Sequence, residues 1–373
     1  MKILINMATL KAGGGQNVGL NFLASLGNDI NDYLFVLAEN SYIHSYFANK
    51  HLENYVTVSK NPIKRFFQEQ FNIRKFIKKN NIKCVYTYFG VGFFGRRVKH
   101  ICGVADSNLF FPEIDFWIHY RGFQRLKKKL IDAYRLLGYK KASGLIFENK
   151  SMFERANQIL KKETKSILIL PSFNPNYNDE DIELPFQKEK NQKICLFLCG
   201  WQLNKNIMLI PEIAREFLNN GLYYHFILTA PLDNSNVCSA FLKLTEKYNV
   251  GHYVHIIGSV KKEQIKSLYS QSDYVFLLSK LESFSNNIIE AWYFKKPLVI
   301  SNEKWARSIC EEAAIYVNRD DPKNIYNELV RFEESSDSLT TLVENGTAQF
   351  LKFPNIKEKT RQELSFIRSF LDD

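Results

Sequence analysis

YVFLLSKLESFSNNIIE, residues 274–290, carries the decisive pattern. A run of β-branched, aromatic and aliphatic residues, Tyr274 to Leu278, reads as a buried strand. It gives way to a polar loop containing Glu282, after which Ser285 or Asn286 can cap a helix that carries Glu290. Two carboxylates eight positions apart thus fall in different settings, one in the loop at the strand's carboxyl end and one about a turn into the helix. Carboxylates accept hydrogen bonds from paired hydroxyls, and amides near Ser283 to Asn287 would face phosphates, so the pattern suits a phosphorylated polyol. The competing explanation is ordinary helix capping with a surface Glu290.

The same strand-then-helix order extends in both directions. KICLFLCG (193–200), YHFILTA (224–230), YVHIIG (253–258), PLVIS (297–301) and AAIYV (313–317) read as strands. Helical patterns lie between them, over about 205–219, 236–248, 262–270 and 286–294. An equivalent series fills the N-terminal half: KILINMA (2–8), YLFVLA (33–38), YVTVS (55–59), CVYTYF (84–89), ICGVA (101–105), GLIFEN (144–149) and SILILP (166–171). Its helices are expected from about Gln16 to Leu26 and over 62–79, 124–137 and 151–161. Short β-rich runs alternating with helices predict α/β architecture with parallel sheets covered on both faces. The stretch between the series, SFNPNYNDEDIELPFQKEKN (172–191), has no periodicity able to bury a face and reads as a linker. We therefore expect an N-terminal Rossmann-like domain over 1–174, a linker over 175–191, a second over 192–352, and a C-terminal helix over 353–373 packing back toward the first. Open α/β sheets bind ligands at strand carboxyl ends, so a cleft between the two sheets is the expected site.

Composition narrows the function. Apolar residues make up 45% of the 373 and charged residues 24%, with 30 Phe and 19 Tyr, which excludes a disordered or fibrous chain. The six cysteines lack C-x2-C pairs and suit a reducing compartment better than a disulfide framework. No apolar stretch is long enough to span a bilayer and no signal-peptide cleavage pattern follows the first strand, so a cytoplasmic location is expected. The net charge is +11, and Lys60 to Lys99 alone holds eleven basic residues against Glu69. A second basic cluster, RGFQRLKKK, spans 121–129. Such a field attracts phosphates, nucleic acid or an anionic membrane, or is simply a solvated face. No zinc-finger spacing or RNA motif is present, so no nucleic-acid partner is expected. PIKRFFQEQFNIRKFIKK (62–79) interleaves Ile and Phe with Lys and Arg, a composition suited either to the sheet or to the inner face of a plasma membrane.

Two further loops could hold phosphate. KAGGGQNVG (11–19) precedes the first helix; Gly14 and Gly15 permit close ligand approach, although the spacing matches neither G-x-G-x-x-G nor a P-loop. GWQLNKN (200–206) follows the first strand of the second series and places Lys205 at an expected helix start beyond Gly200. The D-x-D of Asp179 to Asp181 falls in the linker, and no metal or other cofactor is expected.

LSKLESFSNNIIEAWYFKKPLVIS (278–301) resembles the donor-site signature of glycosyltransferase family 4, retaining enzymes of GT-B fold of the kind that builds bacterial O-antigen or capsular polysaccharide. GGGQNVG resembles the family's first glycine loop, GWQLNKN its phosphate clamp, and IIGSVKKEQIKSLYSQSDYVFLLS (256–279) its approach to the first Glu. The resemblance implies two Rossmann-like domains facing each other across a cleft. It also implies transfer of a hexose-type unit from a nucleotide diphosphate sugar to a lipid-linked or polysaccharide acceptor. Glu282 would contact sugar hydroxyls and Glu290 the ribose. Ser283, Phe284, Ser285, Asn286 and Asn287 would line the sugar and phosphates, with Gly14, Gly15 and Gly200 as further donor contacts, and Lys205 would neutralise the leaving diphosphate. The family often carries a His in the N-terminal unit where this chain has Asp106, an acceptor-side candidate, with His100 and His119 nearby. Trp201 or Gln202 replaces the usual clamp Arg, Ser283 the Gly after the first Glu, and Lys296 the Gly before Pro297. A nucleotide-sugar epimerase or hydrolase of the same fold, or a catalytically inactive sugar-nucleotide or glycan-binding protein, are the alternatives. The oligomeric state is left open.

Overall fold

The computed structural model describes residues 3–10, 14–92, 98–175, 177 and 180–371. Lys11 to Gly13 of the glycine loop, Arg96, Arg97 and Asp179 lie outside the described residues. The chain divides into unit 1, Met1–Asn174 with Phe353–Asp373, and unit 2, Pro175–Lys352.

Unit 1 is built on strands β1 (Ile3–Asn6), β2 (Tyr33–Ala38), β3 (Tyr55–Val58), β4 (Cys84–Thr87), β5 (Lys99–Val104), β6 (Gly144–Phe147) and β7 (Lys165–Leu168). They form one parallel sheet in the order β3-β2-β1-β4-β5-β6-β7. Its helices are α1 (Gly14–Leu26), α2 (Tyr42–Asn49), α3 (Pro62–Gln68), α4 (Arg74–Lys79), α5 (Gly122–Lys141) and α6 (Lys150–Leu160). Alternation along each strand sends side chains to opposite faces. Ile3 and Ile5 join Phe22, Phe35, Phe47 and Tyr86 in one core, while Leu4 packs with Val36, Val85, Ile73 and Ile77 in the other.

The expected helix over 62–79 is interrupted: a π turn, Glu69–Ile73, separates α3 from α4. One extra residue in the turn leaves Ile73 and Ile77 buried in the sheet-facing core while Phe67 and Phe71 stay exposed. Helix α2, capped by the Ser41 side chain on the His44 amide, was not expected from the sequence.

Unit 2 repeats the plan with β8 (Ile194–Phe197), β9 (His225–Leu228), β10 (Val254–Ile256), β11 (Tyr274–Leu277), β12 (Leu298–Ser301) and β13 (Ile315–Val317), ordered β10-β9-β8-β11-β12-β13 and all parallel. Helices α7 (Ile210–Asn219), α8 (Asn236–Lys247), α9 (Ile265–Gln271), α10 (Asn286–Tyr293), α11 (Lys304–Cys310), α12 (Pro322–Glu333) and α13 (Ser336–Phe350) accompany it. Helix α13 packs on α10 through Gly346, where a Cβ would stand 2.6 Å from Trp292 Cδ1.

Helix α14 (Ile356–Arg368) returns to unit 1. Leu364, Phe366, Ile367 and Phe370 enter the core beside Ile3 and Ile5, and Gly144 leaves the room that Phe370 fills. The helix also carries a charge inside: Lys359, 2% exposed, lies 2.7 Å from Glu363 Oε1, 3.0 Å from Glu148 Oε1 and 3.3 Å from the Tyr88 hydroxyl. Burial alone would lower the Lys359 pKa, but the two carboxylates outweigh it and hold the ammonium charged. Burial pushes the Glu363 pKa up, with Lys359 opposing. Removing only the cation leaves two buried carboxylates without their partner. Lys359→Met is therefore expected to cost about 3–5 kcal/mol in urea unfolding.

On unit 2, Phe186 stacks on the rings of His225 and His255, 3.8 and 4.3 Å between centroids, and the two histidines are bonded to each other at 2.9 Å. Burial lowers both pKa values to about 4, with Lys188 acting on His225, and His225 and His252 on His255. Unfolded, each would titrate near 6.5, so between pH 6.5 and about 4 the unfolded chain takes up protons that the folded chain refuses. Stability is thus lost as pH falls through that window. In thermal melts across it, a His225→Phe, His255→Phe double variant should lose less stability than the parent.

Candidate functional site

In each sheet the strand order reverses beside the first strand: β1 lies between β2 and β4, and β8 between β9 and β11. Loops leaving the carboxyl ends on either side of such a point diverge to opposite faces and leave a crevice. In unit 2 these are the loops after β8 and β11, which hold Gly200 to Lys205 and Ser279 to Ser285.

The two loops are bonded together. The Lys280 amide donates to the Asn204 carbonyl at 2.7 Å, and Asn204 Nδ2 to the Leu281 carbonyl at 3.3 Å. Lys205 Nζ lies 2.6 Å from Glu282 Oε1, and the Ser279 hydroxyl donates to the same oxygen at 2.7 Å. Behind them, the Ser301 hydroxyl donates to the Ser279 carbonyl at 2.6 Å and Trp305 Nε1 to that of Lys280 at 3.2 Å, fixing the loop from β12 and α11.

Lys205 does not begin an α-helix, contrary to expectation. It ends a 3-10 turn, Leu203–Lys205, and α7 starts only at Ile210. Asn206 has φ 60°, a left-handed conformation that breaks the helix. Its Nδ2 donates to the Arg319 carbonyl.

Glu290 sits in the fifth position of α10. The Tyr177 hydroxyl donates to its Oε1 at 3.0 Å and the Tyr269 hydroxyl to its Oε2 at 2.9 Å. Burial raises the Glu290 pKa, and the two tyrosines oppose the shift. A carboxylate offers about four lone-pair sites, so two remain for a ligand. Ser285 is the N-cap of α10 without a side-chain cap bond, Asn286 opens the helix, and Asn287 Nδ2 donates to the Leu198 carbonyl at 2.9 Å, tying α10 to the end of β8. Ser283 and Phe284 are half-buried in the loop between Glu282 and the helix.

Trp201, one of the two residues that could stand for the usual clamp Arg, anchors its loop by donating from Nε1 to the Pro231 carbonyl at 2.7 Å. A guanidinium nevertheless lies next to the loop in sequence-distant form. Arg319, 7% exposed, bonds Asp320 through Nε at 3.2 Å, and its buried Nη1 has no hydrogen-bond partner. Neither it nor Tyr177 stands in a motif, and Tyr269, inside the stretch leading to the first Glu, is not singled out there; their contacts with 206 and 290 span 113, 113 and 21 residues.

The remaining candidates belong to unit 1. Gly14 and Gly15 are the first residues of α1 rather than a loop before it. Asp106 follows β5; Arg135 Nη1 is 2.9 Å from its Oδ1 and the Tyr139 hydroxyl donates to Oδ2 at 2.7 Å. Burial raises its pKa, with Arg135 and Tyr139 opposing. It lines a cavity of about 450 Å³ with Thr9, Arg65, Glu69, Gly90 and Arg135, at the switch point between β1 and β4. His100 lies at the other end of β5, where burial lowers its pKa to about 4, and His119 is exposed. Among the described residues no three His, Cys, Asp or Glu side chains form a metal-binding group, and no helix is long and apolar enough to cross a membrane.

Residues 153–349, more than half of the chain, match the family described as Glycosyl transferases group 1. Among curated proteins, none matches the chain. Sucrose-phosphate synthase from Thermosynechococcus elongatus superposes with a TM-score of 0.74 at 15% identity, over 100% of this chain and 99% of that one. A glycosyltransferase from Rickettsia africae gives 0.72 at 15% identity over 100% and 99%. HepE from Anabaena, in complex with UDP-glucose, gives 0.71 at 15% identity over 99% and 100%. At this identity the likenesses establish the fold, GT-B, with its two Rossmann-like parallel sheets. The chain belongs to the group 1 glycosyl transferases and is a glycosyltransferase of that fold.

Proposed function

We propose that the protein is a retaining glycosyltransferase of family 4 that moves a hexose-type unit from a nucleotide diphosphate sugar, with UDP-glucose the first donor to test, to a lipid-linked or polysaccharide acceptor. The observation that carries this reading is the Lys205–Glu282 pair at the switch point of unit 2. A diphosphate drawing the ammonium toward itself would free Glu282 to accept from sugar hydroxyls, so one ligand satisfies both members. Glu290, steadied by Tyr177 and Tyr269, would accept from the ribose with its remaining lone pairs. That HepE is described in complex with UDP and with UDP-glucose supports the choice of donor.

In the retaining step the bond from the anomeric carbon to the phosphate oxygen breaks, and the electron pair leaves with the diphosphate. The acceptor oxygen bonds to that carbon on the same face, and its proton passes to a departing phosphate oxygen. No strong protein base is required. Lys205, with the amides at the start of α10, supplies the electrostatic stabilisation of the leaving group. The acceptor would approach Asp106 in unit 1, and work at the inner face of a membrane, in O-antigen or capsule assembly, would account for the basic field of that unit.

Lys205→Ala should weaken UDP binding in calorimetry much more than uridine binding, because the lost attraction is to phosphate charge. Equal effects on both would remove Lys205 from the clamp. Glu282→Ala and Glu290→Ala should each lower transfer or hydrolysis of UDP-glucose by about tenfold to a hundredfold, the worth of one charged hydrogen bond, with circular dichroism unchanged. Parental kinetics in both would sink the site.

A further inference from the structure

Helix α5 has its polarity reversed. Of its 20 residues only Gly138 and Tyr139 are buried. The side turned to the protein is polar: Arg125 bonds Asp115 at 2.7 Å, Lys128 lies 4.7 Å over the Trp117 ring, Asp132 accepts from Asn108 Nδ2 at 2.8 Å, and Arg135 pairs with Asp106. The side turned to solvent carries an apolar stripe. Phe123, Leu126, Leu130, Tyr134 and Leu137 recur at spacings of three and four and form one stripe, with Phe123 80% and Leu130 63% exposed. A surface helix ordinarily turns that stripe inward.

The stripe continues onto the neighbouring helix. Phe66 of α3 meets Tyr134 edge to face at 6.1 Å, and Ile63, Phe67 and Phe71 are 70%, 56% and 62% exposed. Lysines flank the stripe along the helices, Lys127 and Lys129 between Leu126 and Leu130, Lys64 beside Ile63, and Lys75 and Lys78 on α4, all exposed.

We propose that the outer face of α5, together with Ile63, Phe67 and Phe71, seats in the boundary between head groups and acyl chains of an anionic lipid bilayer. The framing charge selects this occupant. An anionic surface attracts the lysines while the apolar stripe leaves water, whereas a second copy of the chain would bring like charge against like. The cavity holding Thr9, Glu69, Asp106 and Arg135 opens between the same two helices, with Phe66, Ile131 and Tyr134 in its wall. Its charges balance in pairs, Arg65 with Glu69 and Arg135 with Asp106, so it offers both donors and acceptors to a hydroxyl-rich head. The acceptor is then an amphiphile presented from the bilayer, an assignment that rests on the transferase reading above and narrows its acceptor class.

The test is flotation of the full chain with vesicles of equal parts phosphatidylcholine and phosphatidylglycerol, against vesicles of phosphatidylcholine alone. The parent should float with the anionic vesicles. A Phe123→Ser, Leu126→Ser, Leu130→Ser variant, altered only at exposed positions, should lose at least tenfold in vesicle partitioning while binding UDP as the parent does. Leu130→Trp should add a fluorescence component that brominated acyl chains quench, a readout that purely electrostatic adhesion would not give. A parent that stays down, a triple variant that floats like it, or an unquenched Trp would overturn the proposal. So would a parent oligomer in light scattering that the triple variant dissociates, since a second copy would then own the face. Flotation without UDP binding would instead count against the donor reading and leave the docking surface standing.

Discussion

A parallel sheet has two apolar faces and no way to shed either one, so every strand in this chain depends on helices supplied from elsewhere in the sequence. In unit 2 the covering helices come from between its own strands and from α12 and α13 directly after them. In unit 1 one face stays incomplete until α14 brings Leu364, Phe366, Ile367 and Phe370 across it. The buried Lys359 fixes how that helix sits. Hydrophobic packing alone tolerates a slide along the helix axis, but an ammonium inserted between Glu148, Glu363 and Tyr88 is satisfied at one position only.

Covering both faces leaves the strand ends as the place where polar groups can gather without disturbing a core. Glu282 and Glu290 show how much a few residues of chain direction change a carboxylate. The first lies in a loop against a lysine, and the second in a helix between two phenols, where burial favours its neutral form. On the proposed reading, charge compensation would prepare one for exchange with a charged ligand. Directed hydroxyl donors hold the other in place, as an immobile acceptor would need.

The sequence made much of this legible for definite reasons. Tyr274 to Leu278 could be read as a strand because continuous β-rich apolar runs suit a sheet buried on both sides, and β11 occupies that run. Lys205 could be placed next to the β8 strand end, but not in its turn: the left-handed Asn206 and the 3-10 segments that delay α7 follow from a side-chain bond to a loop more than a hundred residues on. Tyr177, in the expected linker, is as far along the chain from its partner, and Tyr269, though inside the stretch leading to the first Glu, is an ordinary tyrosine until the fold sets it beside Glu290. Helix α2 was missed because YIHSYFAN (42–49) has only Ile43 and Phe47 on its inner side, too short a stripe to stand out. For α5 the sequence displays a stripe but not its direction. Periodicity says that apolar residues share a side of a helix, and only the packing of Arg125, Asp132 and Arg135 against the domain shows that this side looks outward.

The discontinuity of unit 1 has a consequence for how the chain is made. Residues 175–352 form a contiguous body that can close as soon as they have left the ribosome, whereas the sheet begun by Ile3 must wait for Phe370. During synthesis the order of completion is therefore inverted. The second unit can mature first, while the first waits with one flank bare and Glu148 beside an unfilled place for a lysine. For that interval the nascent polypeptide exposes the apolar surface that α14 later hides, the kind of transient exposure that favours aggregation until the helix docks.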